Sequence, residues 1–305
     1  MDYDYDSLVV LAAVVRTGSF ESAAHSLNVT QSAVSQRIKQ LEEKVGSILI
    51  QRGRPCVATD DGLLLCQHVE QVALLQHELA DKLAARGDGS SAAAIGIRIA
   101  VNSDSLATWF PEVIELAATE LNLRLEIIPD DQEFTEERLR SGDALAIVTS
   151  NNKPIPGCRS VPLGSMNYMA VATPGYVKTH LEGGVNALSV SKAPSIQFDR
   201  KDTLPQQWMM LAFGGTSKLS SHFIPSYEGH LLACRRGIGW AMMPSVTVQP
   251  LVESGHLVEL VPDVKVRTPL HWQSRSQSSN ILNRLSEFVS DIADNTLAPV
   301  EVETA

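Results

Sequence analysis

Asn102, Ser103, Asp104 and Ser105 crowd the stretch "VNSDSLATWF", residues 101–110, where the strand-like run "IGIRIAV" meets a helix-like one. Three chemistries fit that cluster. Any of the four side chains can cap the helix by accepting a backbone N–H. A serine beside an acid is a nucleophile where a base activates it. Hydroxyls and free amides at a helix start hold a carboxylate, while Asp104 attracts a cation. Trp109, one turn on, would then form an apolar or cation–π wall. It fits the core equally well.

The other strand ends extend the inventory, because ligands of open α/β sheets bind beyond the carboxyl ends of strands. Alternating apolar runs predict strands over 94–101, 123–129, 144–149, 194–198, 219–225 and 238–243, and helices over 105–121, 133–141, 203–212 and 228–236. The ends carry Asp130 and Asp131, Thr149 and Ser150, and Asp199, with no lysine or arginine. Carboxylates there suit an ammonium or guanidinium group. A free basic amino acid, with one carboxylate and two cationic ends, matches the set. Each acid also has a plainer role: Asp104 as partner of a helix dipole, Asp130 and Asp131 as a solvated turn, Asp199 as partner of Arg200 and Lys201.

Catalysis finds little support. Ser103-Asp104-Ser105 has no histidine nearby in sequence, and the chain has no Gly-x-Ser-x-Gly elbow. Gly237-x-Gly239 lacks the third glycine of a dinucleotide fingerprint and follows a helix-like run. Four scattered cysteines and eight histidines show no metal spacing. The expectation is no catalytic residue, no metal and no cofactor.

Stretches 161–173 and 264–275 link the two α/β sets, so the chain builds one lobe, a second lobe, and returns. Ahead of them, "GDGSSAA" at 87–93 reads as a flexible joint. Residues 62–86 form one amphipathic helix with Leu65, Val69, Val72, Leu75, Leu79 and Leu83 in a stripe. A second copy of the chain is the simplest partner for it, and packing on its own domain is the other.

In "GSFESAAHSLNVTQSAVSQRIKQLEEKVG", residues 18–46, Ser19 and Thr30 suit two helix starts and Asn28 the turn between them. Val34, Ile38, Leu41 and Val45 face inward, leaving Ser32, Ser35, Gln36, Lys39 and Gln40 outward with Glu43 at the end. A helix-turn-helix reading DNA has this form, and so does a helical hairpin with a solvated face. The hairpin "LIQRGRPCVATDDG", residues 49–62, adds Arg52 and Arg54 at its tip. Over 37–54 the bases Arg37, Lys39, Lys44, Arg52 and Arg54 outnumber Glu42 and Glu43, so the net charge of −10 does not oppose DNA binding locally.

The stretch "FESAAHSLNVTQSAVSQRIKQLEEKVG…LIQRGRPCVATDDG" resembles the winged helix-turn-helix of LysR-type transcriptional regulators, and the likeness runs through the rest of the chain. "VNSDSLATW", "TEERLRSGD" and "CRRGIGWAMMP" resemble its branch that senses basic amino acids and controls lysine or arginine export. The resemblance implies a mainly α winged helix-turn-helix at 1–61, a linker helix at 62–87, and a two-lobed α/β effector domain of periplasmic-binding-protein type at 94–305. Lobe I would take 94–163 plus 268–300 and lobe II 164–267. It places Gln31, Ser32, Ser35 and Gln36 nearest the bases of double-stranded promoter DNA, with Thr30, Arg37, Lys39, Arg52 and Arg54 nearer phosphates. The family usually has Ser-Arg-Gln where this chain has Ser35-Gln36-Arg37, a change toward adenine readout. It further implies a lysine, arginine or histidine effector, a homodimer or homotetramer, and contact with RNA polymerase. A family member sensing another small anion or amino acid is the alternative.

With 44 % hydrophobic and 20 % charged residues over 305, the composition is that of an ordinary soluble protein. The acidic start Met-Asp-Tyr-Asp-Tyr-Asp is unlike a secretory signal, and no apolar run reaches membrane-spanning length. The expected location is the cytoplasm, away from membranes.

Overall fold

Each N-terminal helix begins where a polar side chain takes up a free amide. Asp4 accepts the Ser7 N–H at 3.1 Å ahead of α1 (Tyr5–Thr17). Ser19 accepts from Ser22 at 3.0 Å for α2 (Phe20–Ser26), and Thr30 from Ala33 at 3.2 Å for α3 (Gln31–Val45). Asn28 takes the left-handed conformation, φ 54°, at the turn. Because Ala23 and Ala24 are small, α2 and α3 close over Val34, Ile38 and Leu41, which pack with Leu8, Leu11 and Val14. The computed structural model describes residues 3–84, 94–129, 138–139, 143–276 and 279–299. The joint at 87–93, the helix expected over 133–141 apart from 138–139, and both Asp130 and Asp131 therefore lie outside the described residues.

A two-stranded wing follows, β1 (Ile50–Gln51) against β2 (Val57–Ala58). Helix α4 (Asp60–Ala84) starts directly behind it, with Thr59 accepting the Gly62 N–H. A Cβ at Gly62 would lie 2.1 Å from the Leu49 carbonyl oxygen, so only glycine lets helix and wing approach this closely. The expected single stripe on α4 divides between two faces. Leu65 and Val69 pack into the DNA-binding domain, whereas Leu75, Leu79 and Leu83 are more than half exposed, as is Leu64. A helix leaving a domain surface turns part of each stripe toward it.

Nine strands form the sheet of the effector domain among the described residues. One half pairs β3 (Ile95–Val101) in parallel with β4 (Leu123–Pro129) and with β5 (Ala146–Thr149). The other pairs β7 (Pro194–Gln197) in parallel with β8 (Ser220–Phe223) and with β9 (Trp240–Pro244). Between the halves run two long antiparallel strands, β6 (Cys158–Ala172) and β11 (Lys265–Arg275). These are the stretches expected to link the lobes, and their register shifts between Leu270 and His271. Short β10 (Val258–Glu259) pairs with β6.

The expected helix over 105–121 is two helices, α5 (Ser103–Thr108) and α6 (Phe110–Glu120). Pro111, in the first turn of α6, has no N–H to continue the earlier ladder, so the chain restarts there. Helices α7 (Pro174–His180), α8 (Ala187–Lys192), α9 (Leu204–Phe213), α10 (Tyr227–Arg235), α11 (Ser245–Glu253) and α12 (Asn280–Thr296) complete the domain. Ser279 caps α12, whose apolar side, including Leu282, Leu285 and Val289, is buried against the sheet.

Candidate DNA interface and effector cleft

The outward face of α3 carries the side chains that sequence spacing placed there. Gln31, Ser32, Gln36, Arg37, Lys39 and Gln40 are exposed and Ser35 is half-buried, with Thr30 exposed at the cap. Glutamine and serine can donate to and accept from base edges. Lys39 lies 3.8 Å from Glu43 one turn on, an exposed pair that costs DNA little to displace. Glu42 points elsewhere, accepting the Leu49 N–H at 2.9 Å, so one of the two local acids braces the wing. At the wing, Arg52 stacks 5.3 Å from the Phe20 ring and Arg54 is exposed. The hydrogen bond from the Ser7 hydroxyl lowers the Asp4 carboxyl's pKa, and the charge of Arg37 adds to that lowering.

The strand-end cluster is built differently from its sequence expectation. Asn102 is the cap of α5, its Oδ1 accepting the Ser105 N–H at 2.9 Å. Ser103 is half-buried in the first turn. Ser105 is fully buried and its hydroxyl has no hydrogen-bond partner among the described residues. Because α5 has six residues and one amide is taken, it offers a carboxylate much less than the long helix expected. Trp109 is 2 % exposed and packs edge-on to Phe110 at 5.4 Å in the core. The break between α5 and α6 turns it toward the sheet, so it forms no exposed wall.

Asp104 meets groups that sequence spacing did not supply. The Tyr168 hydroxyl, from β6, donates to its Oδ2 at 2.6 Å. Burial pushes the Asp104 carboxyl up, the Tyr168 bond pulls it down, and the negative charge of Asp202 pushes it up again. Asp202 stands before α9 in the other half of the domain. Burial raises its carboxyl too, although its oxygens accept the Phe198 N–H at 3.2 Å and the Leu204 N–H at 3.0 Å. Tyr227, at the start of α10, shares a hydrogen bond with Thr247 and feels the Asp104 charge. Asp104, desolvated and facing Tyr168 and the Asp202 charge, together with Asp202, raised by burial and by the charge of Asp199, forms a site that a cation would relieve.

Asp199 does not join them. Its Oδ1 accepts the backbone N–H groups of Lys201 at 2.7 Å and Asp202 at 2.9 Å, closing the turn that presents Asp202. Arg200 stacks on Phe223 at 4.8 Å. The Thr149 hydroxyl is similarly spent on the Asn151 N–H at 3.1 Å. No group of three or more His, Cys, Asp or Glu side chains among the described residues is placed to hold a metal.

Residues 5–63 match the family described as bacterial regulatory helix-turn-helix protein, lysR family, and 96–293 match the LysR substrate binding domain. The chain belongs to the LysR family. It is a DNA-binding transcriptional regulator with an effector domain, and not an enzyme. The transcriptional regulator LysG of Mycobacterium tuberculosis is 41 % identical over 94 % of this chain and 92 % of its own. ArgP of Pseudomonas fluorescens strain Pf0-1 is 36 % identical over 98 % of this chain and 100 % of its own. Among solved structures, ArgP from Mycobacterium tuberculosis superposes with a TM-score of 0.82 at 38 % identity, over 98 % of this chain and 100 % of that one. Full-length LysG from Corynebacterium glutamicum with bound effector Arg gives 0.76 at 34 %, over 97 % and 100 %.

Within this LysR-family domain, sequence reasoning missed Tyr168, Asp202 and Tyr227. Tyr168 lies mid-strand, where no strand-end rule would find it. Asp202 was within reach, since it stands immediately before a predicted helix and three residues from Asp199. No single helix among the described residues is long and apolar enough to cross a membrane. Helices α1 and α2 pass only jointly and bend by 120° between them.

Proposed function

We propose that this regulator binds promoter DNA through α3 and the wing and is controlled by a basic amino acid, arginine or lysine, held between Asp104 and Asp202. The carrying observation is the cluster of Asp104, Tyr168 and Asp202. It brings two desolvated carboxyls from opposite halves of the domain together, with no basic group among the described residues that act on either. A guanidinium or ammonium group there replaces carboxylate repulsion with charge-assisted hydrogen bonds. Ser103 and Asn102 stand beside it for the effector's carboxylate. The LysG relative with Arg bound supports the same class. A ligand bridging two halves joined by β6 and β11 favours one hinge geometry over another, and only such differential affinity can alter DNA binding.

The exposed leucines of α4 fit a homodimer, which pairs further into a tetramer so that several α3 helices meet a site of two-fold symmetry. The regulator acts in the cytoplasm, contacts RNA polymerase at its promoter, and governs export of the amino acid it senses, as the lysine-export name of a 36 % identical relative from Corynebacterium glutamicum supports. Calorimetric titration of the full chain with arginine, lysine, histidine and citrulline tests the effector. Citrulline keeps the length of arginine without its charge. Arginine or lysine should bind and citrulline should not; citrulline binding as tightly as arginine discards the cationic reading.

A further inference from the structure

Helix α4 has a face of its own directed at the effector domain. Glu70, Leu74 and Glu78 are spaced four residues apart and so lie along one side of the helix. Leu74 is 3 % exposed and belongs to the effector-domain core with Ile97 and Leu145. Glu78 Oε1 accepts the Ile281 N–H at 3.2 Å, adding a carboxylate to the first turn of α12 beside its Ser279 cap. Glu70 faces a cleft of about 1000 Å³ between the winged domain, α4 and the first effector strands.

The charged groups around Glu70 come from several elements. Arg98 on β3 and Arg275 on β11 attract it, and Asp143, hydrogen-bonded to Arg98 and Arg138, repels it. Cys66 lies one turn earlier on α4, while Arg16 of α1 and Glu126 of β4 line the same cleft. Despite the arginines, Glu70 Oε2 is buried and accepts no hydrogen bond among the described residues.

We propose that Glu70, Leu74 and Glu78 form a docking row that sets the orientation of the DNA-binding domain on the effector domain, with Glu70 as its adjustable member. Whatever the effector, a change in the effector domain reaches α3 through α4, so positioning residues on this row govern how much of it arrives. Burial outweighs the arginines at Glu70 and pushes its carboxyl up to about 7. An undocked, solvated glutamate would titrate near ~4.3. Docking is therefore strongest with Glu70 protonated, weakens as pH rises from the lower value through about 7, and is constant above.

Hydrogen exchange at the Ile281 amide of the full chain, corrected for intrinsic exchange, reports docking without touching Glu70 or Leu74. Protection should fall about tenfold from pH 6 to pH 8 in the unaltered chain. Glu70→Gln, which needs no proton to dock, should give protection that does not change with pH and lies above the pH 6 value of the unaltered chain. Leu74→Ala should lower protection at both pH values, and Glu78→Ala gives the undocked rate. Circular dichroism establishes that each variant is folded. Unchanged pH dependence in Glu70→Gln, or full protection in folded Leu74→Ala, overturns the proposal.

Discussion

The hydroxyl of Tyr168 donates to Asp104 Oδ2 at 2.6 Å, tying the long strand β6, which runs between the two halves of the sheet, to the short helix α5. A hydrogen bond of this kind favours the ionised carboxyl and fixes where its charge sits. Burial works against it. The pair is thus an acceptor held in place before any cation arrives, and movement of β6 and movement at Asp104 are mechanically one event.

Asp104→Asn should weaken arginine binding by about 10–100-fold, the value of one charge-assisted hydrogen bond of ~1.5–3 kcal/mol. The amide keeps an acceptor for Tyr168, so thermal stability should hold or rise slightly. Calorimetry and a melting curve on the same variant separate the two effects. Unaltered arginine affinity would remove Asp104 from the site.

Asp202 and Asp199 offer a paired comparison three residues apart. Asp202→Asn should lower arginine affinity about tenfold through loss of charge, while Asp199→Asn, which retains the acceptor for Lys201 and Asp202, should leave it unchanged. The reverse order in titration would return the cation to Asp199, one of the strand-end acids that the sequence offered.

The choice between Asp199 and Asp202 marks where sequence stops being informative. Helix caps at Ser19 and Thr30, the turn at Asn28 and the strand that ends before Asn102 were legible because each depends on neighbours a few residues away. The division of the α4 stripe between two faces depends on how far the winged domain covers the helix, and the burial of Trp109 on a break that Pro111 imposes. Asp104 was legible as an acid at a strand end; its tyrosine, 64 residues away, was not. Local hydrogen bonding is written in sequence, and side-chain convergence between the two halves of the sheet is a property of the folded domain.

Arginine affinity should fall as pH is lowered. Burial raises the free-state pKa of both Asp104 and Asp202 above the usual carboxylate value, and only the ionised forms accept the cation. Protons therefore compete with arginine at higher pH than they would at an ordinary carboxylate pair. Asp104→Asn should flatten this dependence, and Tyr168→Phe, by removing the bond that favours ionisation, should move it to higher pH. A pH series of titrations checks all three, and a flat profile in the unaltered chain contradicts the carboxylate pair.

The exposed row on α4 should carry the dimer. Leu75, Leu79 and Leu83 are 57 %, 58 % and 58 % exposed, against 3 % for Leu74 beside them. Leu75→Glu with Leu79→Glu places two charges where two helices would meet, and sedimentation should then show monomers. Each monomer keeps its folded effector domain, so arginine binding to it should persist.

DNA contact divides between residues that position and residues that specify. Arg52→Ala removes a cation at the wing tip and its stacking on Phe20, so binding should weaken evenly across sequences and its salt slope should fall by about 1. Gln36 is exposed on the outward side of α3, and an amide there would suit adenine. Gln36→Arg should shift preference toward guanine at one position in each half-site, with ~1–3 kcal/mol of discrimination. Binding measured against a library of operator variants at two salt concentrations reads both effects together. If Gln36→Arg changes affinity without changing base preference, α3 contacts only the backbone there and the readout lies with Gln31, Ser32 and Ser35.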